Sequence, residues 1–303
     1  MIKMVNKFVW MTIALILCGH CSAVFAELPK GLMIVGYDGS GWFSYISQPK
    51  TNDWLKLTDV QDPAYMTWLA EIDQFVIKSN DGKLYQYQFD TKELKHLESF
   101  DNAYYTQLRS YNDGFMMVEL LKGKSRDTHI VSIDTEYKRK VVVRQVSAQF
   151  HPYRHNDQLY YAHVSCRLEC KPLIQEVWRK DLVTGQTKQL TLLNATSYLF
   201  SVDPEGKYGF ISSNQKGYYH LARLDLSSGK LTWLTAGKVT DSFPSIAQDG
   251  SLYFVRRIPS GSQLMRLRKE SLLQQTVTPE NSLEMIPLPE GVKKIRYLEL
   301  NNQ

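Results

Sequence analysis

The chain has 303 residues, of which 43% are hydrophobic and 22% are charged, with 17 Gly and 11 Pro. This composition is typical of a globular protein and excludes a disordered chain, a collagen-like chain and a multi-span membrane protein. The formal net charge of +5 is too small to indicate a nucleic-acid partner. Aromatic residues make up 12% of the chain, and this enrichment favours strands over helices.

The first 26 residues have the pattern of a secretory signal peptide. Lys3 and Lys7 form a basic start, an apolar run extends from Phe8 to Leu17, and Ala26 ends a cleavage site before Glu27. The apolar run is shorter than the ~20 residues that a membrane-spanning helix needs. We therefore expect a cleaved signal, a periplasmic location and no transmembrane segment in the mature chain. An anchor helix that stays uncleaved is the alternative.

Two of the four cysteines, Cys166 and Cys170, lie outside the predicted signal. Because only three residues separate them, an oxidising compartment would allow a disulfide across the tip of a hairpin. A metal site would need further ligands, and the mature sequence has no second cysteine pair. The spacing therefore predicts a disulfide.

The rest of the chain consists of short apolar runs separated by turns rich in Asp, Asn and Gly, which is typical of many short strands. One such run recurs at intervals of 40 to 49 residues. Its first apolar residues are Leu32, Phe75, Phe115, Leu159, Tyr208 and Leu252. Four strands in each repeating unit indicate the blades of a β-propeller.

The six units predict an all-β fold, a six-bladed β-propeller with four-stranded antiparallel blades. After the signal peptide of residues 1–26, a single domain would cover residues 27–303. The first unit lacks an inner strand, and the chain ends in an extra alternating strand. This C-terminal strand is predicted to join the first blade and close the ring, which would protect two sheet edges. The predicted blades are approximately 30–61 plus 292–301, 62–100, 101–146, 147–195, 196–239 and 240–291.

The later repeats resemble the TolB-type family of six-bladed propellers, whose repeat contains W-S-P-D-G, an apolar strand, D-x-x-[TS]-G and L-T. The fifth unit shows the pattern in Phe200–Gly206, Asp225–Gly229 and Leu234-Thr235. The resemblance covers the propeller part only, because the N-terminal α/β domain of TolB has no counterpart here. It implies an architecture rather than an activity, and a role in the Tol–Pal envelope system is not expected.

No G-x-S-x-G motif of the hydrolase-type peptidases is present in the sequence. His151, His155 and His163 could converge on a metal ion, but solvated turn histidines are the commoner case, and we predict no metal and no cofactor. Two basic runs are predicted to lie on solvated outer strands, namely Lys138–Lys140 with Arg144, and Arg256-Arg257 with Arg266, Arg268 and Lys269. A docking patch for an acidic partner or for membrane headgroups is the alternative for these runs.

The most site-like feature is the set of residues at the start of the inner strands, since these residues ring one mouth of a propeller's channel. A converging polar ring is a place where a ligand or a partner's peptide binds, although a water-filled channel without a ligand would look similar. Its three carboxylates would favour a cation or a peptide bearing Lys or Arg. The predicted mouth residues are Asp62, Asp101, Asn102, Ser147, Thr196 and Asp241.

These observations predict a non-catalytic periplasmic protein, a monomer, that presents a channel mouth and loops to a protein or peptide partner in the cell envelope. Two alternatives remain. One is a lactonase- or cyclase-like propeller enzyme with a metal in the channel, and the other is a sensor domain that works with an envelope regulator.

Overall fold

A computed structural model describes residues 28–97, 103–111, 114–121, 127–166, 173–274, 276–278 and 282–300. The predicted signal peptide, Asp101, Asn102 and the predicted disulfide to Cys170 lie outside the described residues. Within these ranges, no helix has the length and apolar character needed to cross a membrane.

Almost all of the regular structure is β-strand. The exceptions in the described ranges are a 3₁₀ turn, Ala70–Ile72, and a one-turn helix, Lys269–Leu272. The strands in these ranges are β1 Leu32–Tyr37, β2 Trp42–Gln48, β3 Asp53–Leu57, β4 Pro63–Leu69, β5 Gln74–Ser79, β6 Leu84–Gln88, β7 Leu94–Leu97, β8 Ala103–Tyr111, β9 Gly114–Leu121, β10 Thr128–Ile133, β11 Arg139–Val143, β12 Gln149–His155, β13 Gln158–Cys166, β14 Ile174–Asp181, β15 Thr187–Gln189, β16 Ser197–Val202, β17 Tyr208–Lys216, β18 Tyr218–Asp225, β19 Leu231–Trp233, β20 Thr240–Ile246, β21 Leu252–Ile258, β22 Gly261–Leu267, β23 Glu284–Ile286 and β24 Lys294–Leu300.

The strands form six sheets of four antiparallel strands each, and the predicted six-bladed β-propeller is confirmed. Blade 1 has the order β24-β1-β2-β3 from the channel outward, and blades 2 to 6 follow along the chain from β4 to β23. The C-terminal strand β24 pairs with β1 from Leu32 opposite Leu300 to Tyr37 opposite Lys294. The predicted closure of the ring by the C-terminal strand is therefore also confirmed.

The hydrophobic core lies between the blades. Six clusters of buried side chains each join two neighbouring blades, including the pair that closes the ring. In the closing pair, Leu32 and Leu298 of blade 1 pack with Val255 of blade 6, and all three are fully buried. Because each second strand is covered on both faces, it is a continuous apolar run rather than an alternating one.

Every inner strand carries a β-bulge against the second strand of its blade. Three bulges begin with a non-glycine residue of positive φ, namely Gln107 at 56°, His151 at 52° and Phe243 at 57°. Bulges turn side chains out of the regular alternation and often occur next to functional sites. Here the inner strands line the central channel, so the bulges decide which side chains enter it.

Candidate functional site

One side chain from each of the six inner strands closes the channel. We call this set the channel plug. Within it, Tyr65 contacts Tyr297 edge to face with ring centres 5.0 Å apart, Tyr297 contacts Phe243 at 5.7 Å, and Phe243 contacts Phe200 at 5.3 Å. The ring continues from Phe200 to the next inner strand through an imidazole. The plug residues are Tyr65, Gln107, His151, Phe200, Phe243 and Tyr297.

The imidazole of His151 completes the plug and is neutral. Its centre lies 5.1 Å from that of Phe200, and its Nε2 lies 3.3 Å from the side-chain nitrogen of Gln107. The side-chain oxygen Oε1 of Gln107 accepts a hydrogen bond from the backbone N–H of His151. The side-chain NH₂ group of Gln107 therefore faces the imidazole as a donor, and Nε2 of His151 accepts. Burial and the nearby Arg109 guanidinium lower the pKa of His151 to about 3. The cavity among the plug side chains is only about 10 Å³, which is about the space of one water molecule.

A buried ion pair lies further along the inner strands, at the plug's inner side. Arg109 lies 3.4 Å from the Glu299 carboxylate and donates to the Phe200 carbonyl oxygen at 3.0 Å. Glu299 also accepts from Thr67 at 2.6 Å and lies against the Tyr297 hydroxyl. Burial and the Glu299 carboxylate raise the pKa of Tyr297 well above its usual value, so the phenol stays protonated. The charged and hydroxyl groups of Arg109, Glu299 and Tyr297 therefore find their hydrogen-bond and ion-pair partners within this cluster.

At the mouth where the inner strands begin, Asp62 is paired with an arginine. Asp62 precedes β4, and its carboxylate accepts from Arg296 of β24 at 2.9 Å. The Arg296 guanidinium also stacks on the Trp42 ring at 3.8 Å from its centre. The pair joins blades 1 and 2 and is partly exposed, with 49% of the Asp62 side chain accessible.

Asp241, the other described carboxylate of the predicted ring, is completely buried. Arg256 lies directly opposite it on β21 and makes two parallel bonds, at 2.8 and 3.0 Å. Neither side chain is more than 3% exposed. Asp241 therefore holds blade 6 together from within rather than facing a partner.

The remaining predicted mouth residues are hydroxyl-bearing or lie outside the described residues. Thr196 is buried and donates to the Leu173 carbonyl oxygen at 2.6 Å. Ser147 is partly exposed, has a φ of 80°, and its carbonyl oxygen accepts from Gln149 at 2.8 Å. Asp101 and Asn102 lie outside the described residues. The structure thus gives no free carboxylate at the described inner-strand starts, because both carboxylates there are matched by arginines.

A recess opens at the mouth between blades 2 and 3, and we call it the Lys78 recess. Its volume is about 350 Å³. Lys78 lies on β5 opposite Tyr65 of β4 and is 1% exposed. Burial lowers the pKa of Lys78, and the negative charge of Asp81 only partly opposes this shift. The lining residues are Ala64, Tyr65, Lys78, Asn80, Tyr104, Thr106 and Arg296.

A second recess, the Arg257 recess, lies between blades 6 and 1 and has a volume of about 390 Å³. Arg257 and Lys294 are exposed there, and neither has an ion-pair partner within the part of the chain that the structure describes. Arg296 lines this recess as well as the Lys78 recess, so the two adjoin. We call the two recesses together the mouth groove. Its described lining contains four cations and no carboxylate.

Sequence reasoning predicted a site at the inner-strand starts and did not assign to it the basic side chains that line the mouth groove. Lys78 is the penultimate residue of the buried, largely apolar strand β5. A charged residue is unusual at such a position, and the sequence alone could have indicated it as a candidate site residue. The pairing of Asp241 with Arg256 follows from strand register alone. By contrast, the Asp62–Arg296 pair joins residues 234 positions apart and depends on ring closure.

The three histidines considered for a metal lie in different surroundings. His151 belongs to the plug, His163 packs against Trp178 with ring centres 5.2 Å apart, and His155 lies next to Gly206. Among the described residues, no group of three or more His, Cys, Asp or Glu side chains could hold a metal ion.

The predicted basic runs are largely ion-paired. Arg139 pairs with Glu119, and Lys138 pairs with Glu136. In blade 6, Arg266 and Arg268 both lie against Glu284. The prediction of solvated outer strands is wrong for Arg256 and Arg257, which lie on β21, the second strand of blade 6. Arg256 is buried and paired with Asp241, whereas Arg257 lines the mouth groove.

Comparisons of the sequence with family models and with curated proteins find no match. Several solved structures share the fold. The putative TolB from Agrobacterium tumefaciens has a TM-score of 0.61 and 12% identity, over 87% of this chain and 100% of that chain. An oligogalacturonate lyase in complex with manganese has a TM-score of 0.59 and 11% identity, over 89% of this chain and 80% of that chain.

A puromycin-hydrolyzing peptidase of Mycobacterium tuberculosis has a TM-score of 0.56 and 12% identity, over 87% of this chain and 50% of that chain. The molecule is thus a six-bladed β-propeller with a plugged channel and a cationic groove at one mouth. Its fold is similar to that of TolB, as the repeat motifs predicted. Because the same fold also serves a lyase and a peptidase, its function must be argued from the site.

Proposed function

We propose that this protein is a non-catalytic binding protein of the periplasm, which holds a segment of a protein or peptide partner from the cell envelope in its mouth groove. The observation that carries the proposal is the groove itself, two adjoining recesses of about 350 and 390 Å³ above a closed channel. Recesses of this size are typical of ligand sites. The signal-like N-terminus supports the periplasmic location.

The charge of the groove favours an acidic partner segment. Lys78, Arg257 and Lys294 have no carboxylate partner within the described residues, and the charge of Arg296 is matched by Asp62. The expected preference for a Lys- or Arg-bearing peptide is therefore reversed in this proposal. Attraction between opposite charges across an interface raises the association rate and weakens as salt increases.

The channel beneath the groove supports binding rather than chemistry. Its polar groups, Arg109, Glu299 and Tyr297, bond to one another, and the cavity beside them is about 10 Å³. A substrate could not enter beside these groups without displacing the plug. A rigid ring with a closed floor can instead hold loops and side chains in fixed positions for a partner.

The test is recovery of a partner from a periplasmic extract at low and high salt. The mouth variant carries Arg257→Glu and Lys294→Glu, and a matched control carries Lys140→Glu and Lys188→Glu on the outer strands β11 and β15. We expect the wild type and the control to recover the same protein, and the mouth variant to recover at least about tenfold less, since a charge-reversed pair repels an acidic segment. Equal recovery by all three proteins would move the site to an outer face.

A second candidate is an enzyme acting on an acidic oligosaccharide. The specific observation in its favour is the cationic groove, together with the similarity in fold to an oligogalacturonate lyase. Incubation of the purified protein with oligogalacturonate, with and without Mn²⁺, distinguishes the two candidates. Formation of the unsaturated product, followed by its ultraviolet absorbance, would replace the binding proposal with a catalytic one.

A further inference from the structure

We propose that the Lys78 recess is a carboxylate-binding site that accepts the side chain of an Asp or Glu residue in the partner segment. This inference rests on the proposed function, since it names the chemical group that the mouth groove recognises. It is carried by a buried ammonium group whose charge the described residues leave unmatched.

Lys78 is buried, with only 1% of the residue exposed. Its Nζ donates to the Ser79 carbonyl oxygen at 2.9 Å, and no ion pair joins it to a carboxylate of the described residues. The neighbouring carboxylate, Asp81, is already engaged by Lys83 at 2.9 Å and by the Ser79 hydroxyl. Buried lysines are normally paired, because removing an ammonium from water costs several kcal/mol.

The position of Lys78 in the blade explains how its charge reaches the mouth. Val76, two residues earlier on β5, packs in the cluster between blades 2 and 3. Side chains two residues apart on a strand share a face, so the Lys78 stem also faces blade 3. Its Nζ lies 5.2 Å from the centre of the Tyr104 ring, at the point where β8 begins. The ammonium is thus fixed at the wall of the recess.

The rest of the lining suits a carboxylate and its apolar stem. Asn80 and Thr106 contribute neutral polar groups to the lining, and Arg296 lines the recess as well. The rings of Tyr65 and Tyr104 offer apolar surface for methylene groups. An ammonium without a carboxylate partner among the described residues matches the single charge of a carboxylate, whereas an amide side chain would leave that charge unmatched.

The first test observes Lys78 directly. In protein labelled with ¹⁵N-lysine, the Nζ signal of Lys78 is assigned by its loss in Lys78→Met, and three probes are added separately at equal ionic strength. We expect N-acetylglutamate α-amide to shift this signal, and N-acetylglutamine α-amide and inorganic phosphate to leave it in place. An unmoved signal with the glutamate probe, or an equal shift with either of the others, overturns the proposal.

The second test asks whether the carboxylate belongs to a peptide. The probes are the capped hexapeptides (Gly-Glu)₃ and (Gly-Gln)₃, and their dissociation constants are measured by fluorescence anisotropy. We expect the wild type to prefer the acidic peptide at least tenfold, and Lys78→Met to reduce this preference at least threefold. The control Lys83→Met, an exposed lysine in the next turn, should keep the wild-type preference. An unchanged preference in Lys78→Met overturns the proposal.

Two further outcomes separate the sources of the carboxylate and the two proposals. If the glutamate probe binds as tightly as the acidic hexapeptide, the recess holds small free acids and the peptide source is overturned. If the wild type recovers its envelope partner while Lys78 responds to no carboxylate, this inference fails and the proposed function stands. If Lys78 responds to the carboxylate but no envelope partner is recovered, the proposed function fails and the carboxylate site stands. Lys78→Met should melt no lower than the wild type, since an apolar group of similar size replaces a buried charge.

Discussion

Two arginines decide the electrostatics of the channel mouth. Arg256 and Arg296 each neutralise a carboxylate that precedes or begins an inner strand, Asp241 in the first case and Asp62 in the second. The two pairs differ in burial, since the first is closed to solvent and the second is half open. They should therefore differ in their contribution to stability.

The first prediction compares Asp241→Asn with Asp62→Asn. Asp241→Asn removes the buried carboxylate that accepts two bonds from Arg256, and breaking a buried pair costs about 3–5 kcal/mol, whereas the loss of an exposed pair costs about 1 kcal/mol or less. The free energies of unfolding from urea titration should show this difference at neutral pH. Equal losses in the two variants would mean that Asp241 does not depend on Arg256 in solution.

The second prediction concerns the pH dependence of stability through His151. Its pKa in the folded protein is about 3, below the usual 6.5, so between these values the unfolded chain binds more protons. The contribution of neutral His151 is therefore complete above pH 6.5 and is lost as the pH falls toward 3, with a slope of up to about 1.4 kcal/mol per pH unit.

The variant His151→Gln keeps a hydrogen-bond acceptor for Gln107 but does not titrate. Compared with the wild type, its free energy of unfolding should decline less between pH 6.5 and pH 4.5, as measured by urea titration at each pH. The lowered pKa values of His155 and His220 act in both proteins, so they cancel in the comparison. Parallel pH profiles would contradict a neutral His151 in the folded protein.

At the scale of the elements, the bulges of the inner strands connect the repeat to the site. The repeat supplies a small residue followed by an aromatic residue near the start of most inner strands, and in four of these strands the plug residue lies within the bulge, namely Gln107, His151, Phe200 and Phe243. Arg296 is itself the bulged residue of β24, between Ile295 and Tyr297 in their pairing with β1. Without that bulge, Arg296 would not reach both Asp62 and Trp42.

The third prediction concerns the closing strand. Removal of residues 293–303 deletes β24, exposes the paired edge of β1 and leaves Arg109 without Glu299. We expect aggregation or a melting temperature at least about 10 °C lower, because an unpaired edge and a buried charge are both destabilising. Removal of residues 301–303 alone is the control and should change little.

A milder variant keeps this prediction testable if the truncated protein does not fold. Leu298 of β24 is fully buried in the cluster between blades 6 and 1. Leu298→Ala should lower the free energy of unfolding by about 2–5 kcal/mol, as for other buried leucines. A loss below about 1 kcal/mol would show that β24 does not hold the ring closed.

At the scale of the whole molecule, the six clusters between blades make the ring a single continuous core, and the plug fills its centre. A ligand bound at the mouth therefore contacts the plug and cannot pass into the channel. The groove spans from blade 6 across blade 1 to blade 3, so a segment bound there contacts both sides of the closing strand.

The fourth prediction concerns export of the whole chain. The basic start, the apolar run and Ala26 predict that the mature protein begins at Glu27 and is released with the periplasmic fraction by osmotic shock. N-terminal sequencing of the released protein checks this result. Met1 found on protein retained in the membrane fraction would instead support the uncleaved anchor.

The repeat period by itself determined the number of blades and the role of the C-terminal strand. Apolar runs at regular intervals require repeated sheets, and a first unit without an inner strand requires a partner from the other end of the chain. These features are local or periodic, so they can be recognised without coordinates. The polar character of the inner-strand starts was also visible in the sequence, and the proposed site lies at the same mouth.

Only the tertiary structure decided the charge and shape of the site. Ring closure brings Arg296 to Asp62 across 234 positions, and strand register places Arg256 on Asp241, so the acidic residues seen in the sequence do not make an acidic surface. The plug brings together six side chains from six blades, and four of them lie within bulges. Lys78 could be recognised as a candidate ligand-binding residue only from the structure, which shows that it is buried without a carboxylate partner among the described residues. An ion pair depends on distance in space and not on position in the sequence.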